Sequence, residues 1–319
     1  VAVTGVWGVA VRRLAMLPVT VFLATTMTFL FLRWTPGDPA EVQLRGRGVD
    51  ATPEAIHELR EEWGLNDPVI AQYGRWLRDV LTGDLGTSYG TGQPVTHELL
   101  LRLPPTLELT AVALLIVALI AVSLSLLSVR RPRRQLDQTI RFLTVVAAAI
   151  PTFWLGLMLI DLFAVTLGWF PVLGRGGVSH MVLPAVTLAA ATGAWYTRVL
   201  RANLLESLQH PYVFAARARG VPERRVLVRH ALRNSIIPAV TAFGMTIPAL
   251  VGGTVLVEAV FAWPGLGRLA TGAIFERDYT LLQGYVLIIT LVVAIANTVV
   301  DIAYRLVDPR VRVGAHAVS

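Results

Sequence analysis

Long apolar runs constrain this chain more than any other feature. A helix that crosses a membrane needs about 20 mostly apolar residues. Six stretches meet that requirement: residues 14–32, 107–129, 140–167, 181–200, 236–257 and 284–306. The third contains Pro151, and the fifth contains Pro238, Pro248 and the Gly252-Gly253 pair. Such residues suit bundled membrane helices, where neighbours re-satisfy freed backbone groups and small side chains allow close approach. The first stretch follows Arg12-Arg13 and carries no small-residue cleavage signature, so it reads as a retained helix. The expected fold class is an all-α polytopic membrane protein with six transmembrane helices. Composition agrees. Hydrophobic residues make up 55% and charged residues 15%, against roughly 25% charged in a soluble domain.

The placement of charge orients the spans. All 28 basic residues are arginine, and 21 acidic residues leave a net charge of +7. With the N-terminus inside, 18 arginines fall in the inner segments. Of the 10 outside, 7 lie in residues 33–104, a segment that also carries 11 acidic residues. Basic residues concentrate on the cytoplasmic side of membrane proteins, so both termini are expected in the cytoplasm. The basic excess reads as topology and does not call for a nucleic-acid partner. There is no cysteine and no lysine. Disulfides, thiolate nucleophiles and Cys-ligated metal sites are therefore excluded. A P-loop ATPase site is excluded too, because its lysine must reach the nucleotide phosphates.

Two segments outside the membrane are too elaborate for plain connectors. In the outer one, Thr52-Pro53-Glu54 signals a helix start, with Ile56, Leu59 and Trp63 as its apolar stripe and Gly64 as its stop. Asp67-Pro68 opens a second helix with Val69, Tyr73, Trp76 and Val80 on one side and Gly83 after it. Such a region can be a structural cap or a docking platform for an external partner. In the inner segment, residues 202–234, Gly220 breaks the chain and Pro222 is placed to open a short helix. Arg225, Arg229 and Arg233 then follow at i, i+4 and i+8, one cationic face of a regular helix. That face can fix topology, touch anionic lipid or enter a protein partner.

Few polar residues lie within the spans. Asp161, Glu258 and Asn297 can line a translocation path or make inter-helix hydrogen bonds, since an ionisable group inside a bilayer must face protein or water. Asp301 is placed to pair with Arg305, four residues on. His180, His210 and His230 have no metal-ligand spacing, so no metal site is expected. Trp7, Trp34, Trp154, Trp169 and Trp263 fall near span ends and read as an interfacial belt. A stand-alone ion-coupled transporter is the competing reading, with Asp161 as its one deep ionisable candidate.

Phe214-Ala215-Ala216-Arg217-Ala218-Arg219-Gly220, followed by the basic segment and Ile236-Ile237-Pro238, resembles the EAA loop of ABC-importer permeases. Phe214 stands where that pattern has Glu, and Gly220 and Pro238 are further apart than in the general form. Other motifs resemble the B-type permease subunit of dipeptide and oligopeptide importers. They are Pro36-Gly37-Asp38-Pro39, Gly64-Leu65-Asn66-Asp67-Pro68, Gln72-Tyr73-Gly74-Arg75-Trp76-Leu77, Gly83-Asp84-Leu85-Gly86-Thr87-Ser88, Trp263-Pro264-Gly265-Leu266-Gly267-Arg268 and Leu306-Val307-Asp308-Pro309-Arg310. They run in order along nearly the whole chain.

The resemblance implies a type I ABC importer permease fold in the bacterial cytoplasmic (inner) membrane. It implies a homologous second permease subunit, two ABC ATPase subunits that hold ATP and Mg, and an extracytoplasmic solute-binding protein. This chain would then be no enzyme and would bind no cofactor itself. Ala215, Ala216, Arg217, Gly220, Pro222, Glu223, Arg225 and Arg229 would form the ATPase-coupling site. Residues 1–33 would be the N-terminus and first span, 34–104 the outer loop, 105–310 a five-helix core that includes the coupling loop, and 311–319 a cytoplasmic tail.

Overall fold

The computed structural model describes residues 6–236 and 246–307. The chain forms α1 (Val6–Trp34), α2 (Pro39–Gly46), α3 (Pro53–Glu62), α4 (Val69–Leu81), α5 (Val95–Arg130), α6 (Gln135–Ala149) and α7 (Thr152–Leu159, continued as π-helical turns over Ile160–Thr166).

 The turn of α7 from Thr152–Leu159 into the π-helical stretch is continuous. Then come α8 (Val178–Ser207), α9 (Pro211–Ala218), α10 (Glu223–Arg225), α11 (Ile247–Val260), α12 (Leu266–Glu276) and α13 (Tyr279–Val307). No strand occurs among the described residues.

Four of these helices are long and apolar enough to cross a membrane: α1 over Ala15–Trp34, α5, α8, and α13 over Tyr279–Ile302. The expected third span is bent. α6 and the α7 segment pass the same test together but meet at 108°. Pro151 is the cause. A residue before proline is pushed out of the helical region, and Ile150 is extended at φ −74°, ψ 128°. Of the expected fifth span, the structure describes the 14-residue α11, and residues 237–245 lie outside the described ones.

The chain divides into two compact units. One comprises Leu107–Trp263 with the beginning of α1 and the later half of α13. Its core draws Leu109, Ala113, Val117 and Ala121 from α5, four residues apart and hence on one helical face. Ala185, Leu188, Ala189 and Tyr196 of α8 and Val257 of α11 complete it, with Phe261 and Trp263 beyond. Glycines set the closest approaches. A Cβ on Gly156 would lie 3.1 Å from the Phe261 ring, and one on Gly193 would lie 3.3 Å from Ile120. Trp263 corrects an expectation: it is fully buried in this core and not interfacial, whereas Trp34 and Trp169 are 75% and 65% exposed. The side chain of Trp7 lies outside the described residues.

The second unit comprises Arg13–Thr106 and Pro264–Ala294. Its short helices start where their caps dictate. Asp38 accepts a hydrogen bond from the Ala40 amide at 2.9 Å and Thr52 from the Ala55 amide at 3.3 Å, each just before a proline at the first helical position. α4 lies on α1: Tyr73 and Trp76 pack on the buried Phe29, and the Tyr73 hydroxyl meets Thr26 at 2.7 Å. Val95 and Leu99 of α5 pack with Leu266, Ala273, Leu281 and Leu282. A Cβ on Gly284 would sit 2.5 Å from Val95, so only glycine lets α13 come this close.

Candidate functional site

The segment between α8 and α11 is built by local rules. Pro211 occupies the first helical position of α9. At the other end, Gly220 has φ +74°, which glycine adopts without steric cost. Its amide donates to the Arg217 carbonyl at 2.9 Å, and the Val221 amide donates to the Ala216 carbonyl at 3.2 Å. This pair of bonds is a Schellman cap, and Val221 and Ala216 supply the apolar contact that accompanies it. Ala216 is buried with Val213 and Val226, while Phe214 is 58% exposed. Ala215 is also exposed, so the two alanines of the motif face opposite ways.

Across the Gly220 turn, Arg217 donates to both Glu223 carboxylate oxygens, at 3.1 and 2.6 Å. These hydrogen bonds hold the Glu223 carboxyl below its ordinary pKa and raise that of Arg217. The regular cationic helix expected after Pro222 is not formed. α10 is three residues long and continues as a π-helical stretch, Val226–Ala231, in which the Leu232 amide donates to the Leu227 carbonyl. The wider turn displaces Arg225 and Arg229 from the alignment a regular helix would give them. Burial explains the departure: Val226, Leu227 and Ala231 are all buried, and Leu227 and Ala231 share a core with Val129, Leu200 and Leu204. Arg225, Arg229 and Arg233 nevertheless all remain exposed.

A buried network beside this segment has no signal in the local sequence. Asp137, 1% exposed, accepts from Arg201 through Nε and a terminal nitrogen, both at 2.8 Å. Ser128 bonds the same carboxylate, and the Arg133 amide donates to it at 2.9 Å. One carboxylate thus joins α5, the α5–α6 turn, α6 and α8. The only hint in the sequence is an isolated acid among several arginines.

The three polar span residues sit in different surroundings. Asp161 is exposed on the π-helical part of the α7 segment, Glu258 is fully buried on α11, and Asn297 is partly buried on α13. Asp301 is half-buried, and the side chain of its expected partner Arg305 lies outside the described residues.

In the second unit, a network centres on Asp278, which is 0% exposed. It accepts from the Ser88 hydroxyl at 2.5 Å, the Gly90 amide at 3.2 Å, the Thr280 hydroxyl at 2.9 Å and the Leu281 amide at 3.0 Å. Gln43 donates to the Glu276 carbonyl at 2.9 Å, and Arg47 donates to the Tyr89 carbonyl at 3.1 Å. Burial pushes the Tyr89 hydroxyl up to about 12. The segment between α1 and α5 is therefore stitched to the start of α13, 190 residues away.

Apolar spans and a broken span at a proline define a polytopic helical membrane protein. Residues 121–313 match the family described as binding-protein-dependent transport system inner membrane component, and residues 8–110 match its N-terminal region. The chain belongs to that family. The oligopeptide transport system permease protein AppB of Bacillus subtilis is 38% identical over 314 residues, covering 94% of this chain and 97% of that protein. The glutathione transport system permease protein GsiC of Pectobacterium atrosepticum is 37% identical, covering 95% and 98%. Among solved structures, an inward-facing MetNI methionine ABC transporter aligns with a TM-score of 0.56 at 21% identity, over 66% of this chain and 95% of that chain. That likeness establishes the type I importer permease fold. The reading as a stand-alone ion-coupled transporter finds no support, because the family consists of components of binding-protein-dependent systems.

Proposed function

We propose that this chain is one of two homologous permease subunits of an ABC importer that carries peptides, or a related small solute such as glutathione, into the cell. The observation that carries the reading is the near-full-length similarity to permeases named for oligopeptide and glutathione transport. In this proposal the chain has six spans and both termini in the cytoplasm. A solute-binding protein delivers the solute from outside, and two partner ATPases hydrolyse ATP. α9, the Gly220 turn and α10 form a compact projection that fits a cleft in an ATPase. Ala215, Phe214 and Arg225 are its exposed contacts, with Arg229 exposed on the π-helical stretch that follows. Ala216, Gly220, Pro222 and the Arg217–Glu223 pair hold its shape. Movement of that projection, driven by ATPase closure, would rock the spans between outward- and inward-open states. Asp161, Glu258 and Asn297 are candidates for the path.

The test is co-purification of the full chain with its second permease and ATPases, then ATP-dependent peptide uptake in proteoliposomes. Reversing charge in R225E/R229E should abolish ATPase retention and uptake while the chain still inserts. Retention of the ATPases by that variant would refute the coupling assignment.

A further inference from the structure

A cavity of about 920 Å³ opens between the α5–α6 turn and α10. Arg130, Arg131, Arg133 and Arg134 line one side, and Arg224 lines the other. All five are exposed, and none has an ion-pair partner among the described residues. The single acid in the lining, Glu223, is already held by Arg217 through two hydrogen bonds. Like charges converging on one cavity repel one another, so the arrangement suits an anion. Guanidinium groups favour phosphate in particular, through paired N–H donors.

Two further observations bear on the occupant. Arg133 has φ +64°, a left-handed conformation uncommon for residues other than glycine, asparagine and aspartate, yet a guanidinium stands there and lines the cavity. The walls also carry Leu127, Leu136 and Leu227. From the cavity, α6 continues with an apolar exposed surface: Leu136 is 54%, Phe142 67% and Leu143 55% exposed. A soluble nucleotide or an acidic protein surface has no use for that apolar extension. A lipid uses both parts, with its phosphate among the arginines and its acyl chain along α6. Basic clusters at the ends of spans attract anionic lipid for the same reason.

We propose that this cavity binds the headgroup of an anionic phospholipid. Because Arg224 and Leu227 belong to the segment that follows Gly220, bound lipid would brace that segment from its membrane side. The inference stands whether or not the segment contacts an ATPase.

The test uses the full chain reconstituted in vesicles of equimolar phosphatidylglycerol and phosphatidylcholine, extracted gently and weighed by native mass spectrometry. Wild type should retain phosphatidylglycerol preferentially. R131Q/R134Q/R224Q should reduce that preference by about tenfold, the effect of losing roughly 1.4 kcal/mol. R131K/R134K/R224K, which keeps the charge but loses the paired donors, should preserve part of it, and R45Q/R78Q, in the other unit, should leave it intact. The proposal fails if the glutamine variant keeps its preference, or if the lysine variant loses it equally. It also fails if excess inorganic phosphate displaces the lipid completely, which would mark a free-phosphate site.

Discussion

Several arginines in the unit formed by Arg13–Thr106 and Pro264–Ala294 bond within the fold, although Arg45 and Arg78 stay largely exposed. The Arg33 guanidinium lies 4.8 Å from the Phe29 ring centre and 5.2 Å from that of Tyr279, and it donates to Gln72. Arg60 pairs with Asp38 at 3.2 Å. Arg75 bridges to Asp67 at 2.8 Å and donates to the Gly64 carbonyl. In the unit built on Leu107–Trp263, the arginines of the α5–α6 turn and α10 turn outward, and Arg201 is the exception in being paired with a buried carboxylate. The same residue type thus has two uses. In short-helix, loop-rich structure it replaces missing core by bonding carbonyls and acids. At the ends of long spans, the apolar helices already supply the core, and the charge is left free for a ligand or partner.

Substitutions can break or sharpen this contrast. The largest effect is expected at the exception. D137N removes the buried counter-charge of a partly buried Arg201, and breaking a buried pair costs about 3–5 kcal/mol. Thermal unfolding in detergent should show a large loss; a value within 1 °C of wild type would mean that the network holds nothing together. Next comes D278A in the other unit. Each buried donor left without a partner costs about 1–3 kcal/mol, so the segment between α1 and α5 should loosen and become sensitive to protease before the spans unfold. Unchanged proteolysis would remove Asp278 as its anchor.

A smaller loss is expected from G220V. A side chain at φ +74° costs about 1–2 kcal/mol, and no heavy atom lies within 4 Å of the would-be Cβ, so the penalty is conformational and not a clash. G220N should recover part of it, because Asn tolerates the left-handed region. Equal losses from both variants would point to a contact instead. The smallest effect belongs to E223Q. Glu223 and Arg217 are 56% and 38% exposed, and such pairs contribute about 0–1 kcal/mol. The Glu223 carboxyl is depressed in the folded state, so its contribution is present above the ordinary carboxylate range and is lost as pH falls through the depressed value. Wild type and E223Q should therefore differ slightly at neutral pH and converge in acid. A difference that grows in acid would contradict that assignment.

Local signals made much of the molecule legible in advance. The apolar runs identified α1, α5, α8 and α13, and the Thr52-Pro53 pair stands at the cap of α3. Gly220 was readable as a helix stop because a positive φ leaves few alternatives to glycine. The size of the bend at Pro151 was not readable. Proline disfavours helix at the residue before it, but packing against α8 and α11 accompanies the turn to 108°. Nor was the π-helical stretch after α10, since its register answers to the burial of Val226, Leu227 and Ala231.

By itself, the sequence determined that the chain is a helical membrane protein with arginine-rich segments, an acidic segment between its first two apolar runs and no lysine for a P-loop. Each of these follows from composition within a window of about 20 residues or from the absence of a required side chain. Tertiary structure alone decided which arginines are bound and which are free. Asp137 finds Arg201 at a separation of 64 residues, and Asp278 finds Ser88 at 190. Partners so distant leave no periodicity or spacing in the sequence, because only the packing of whole helices brings them within hydrogen-bond reach.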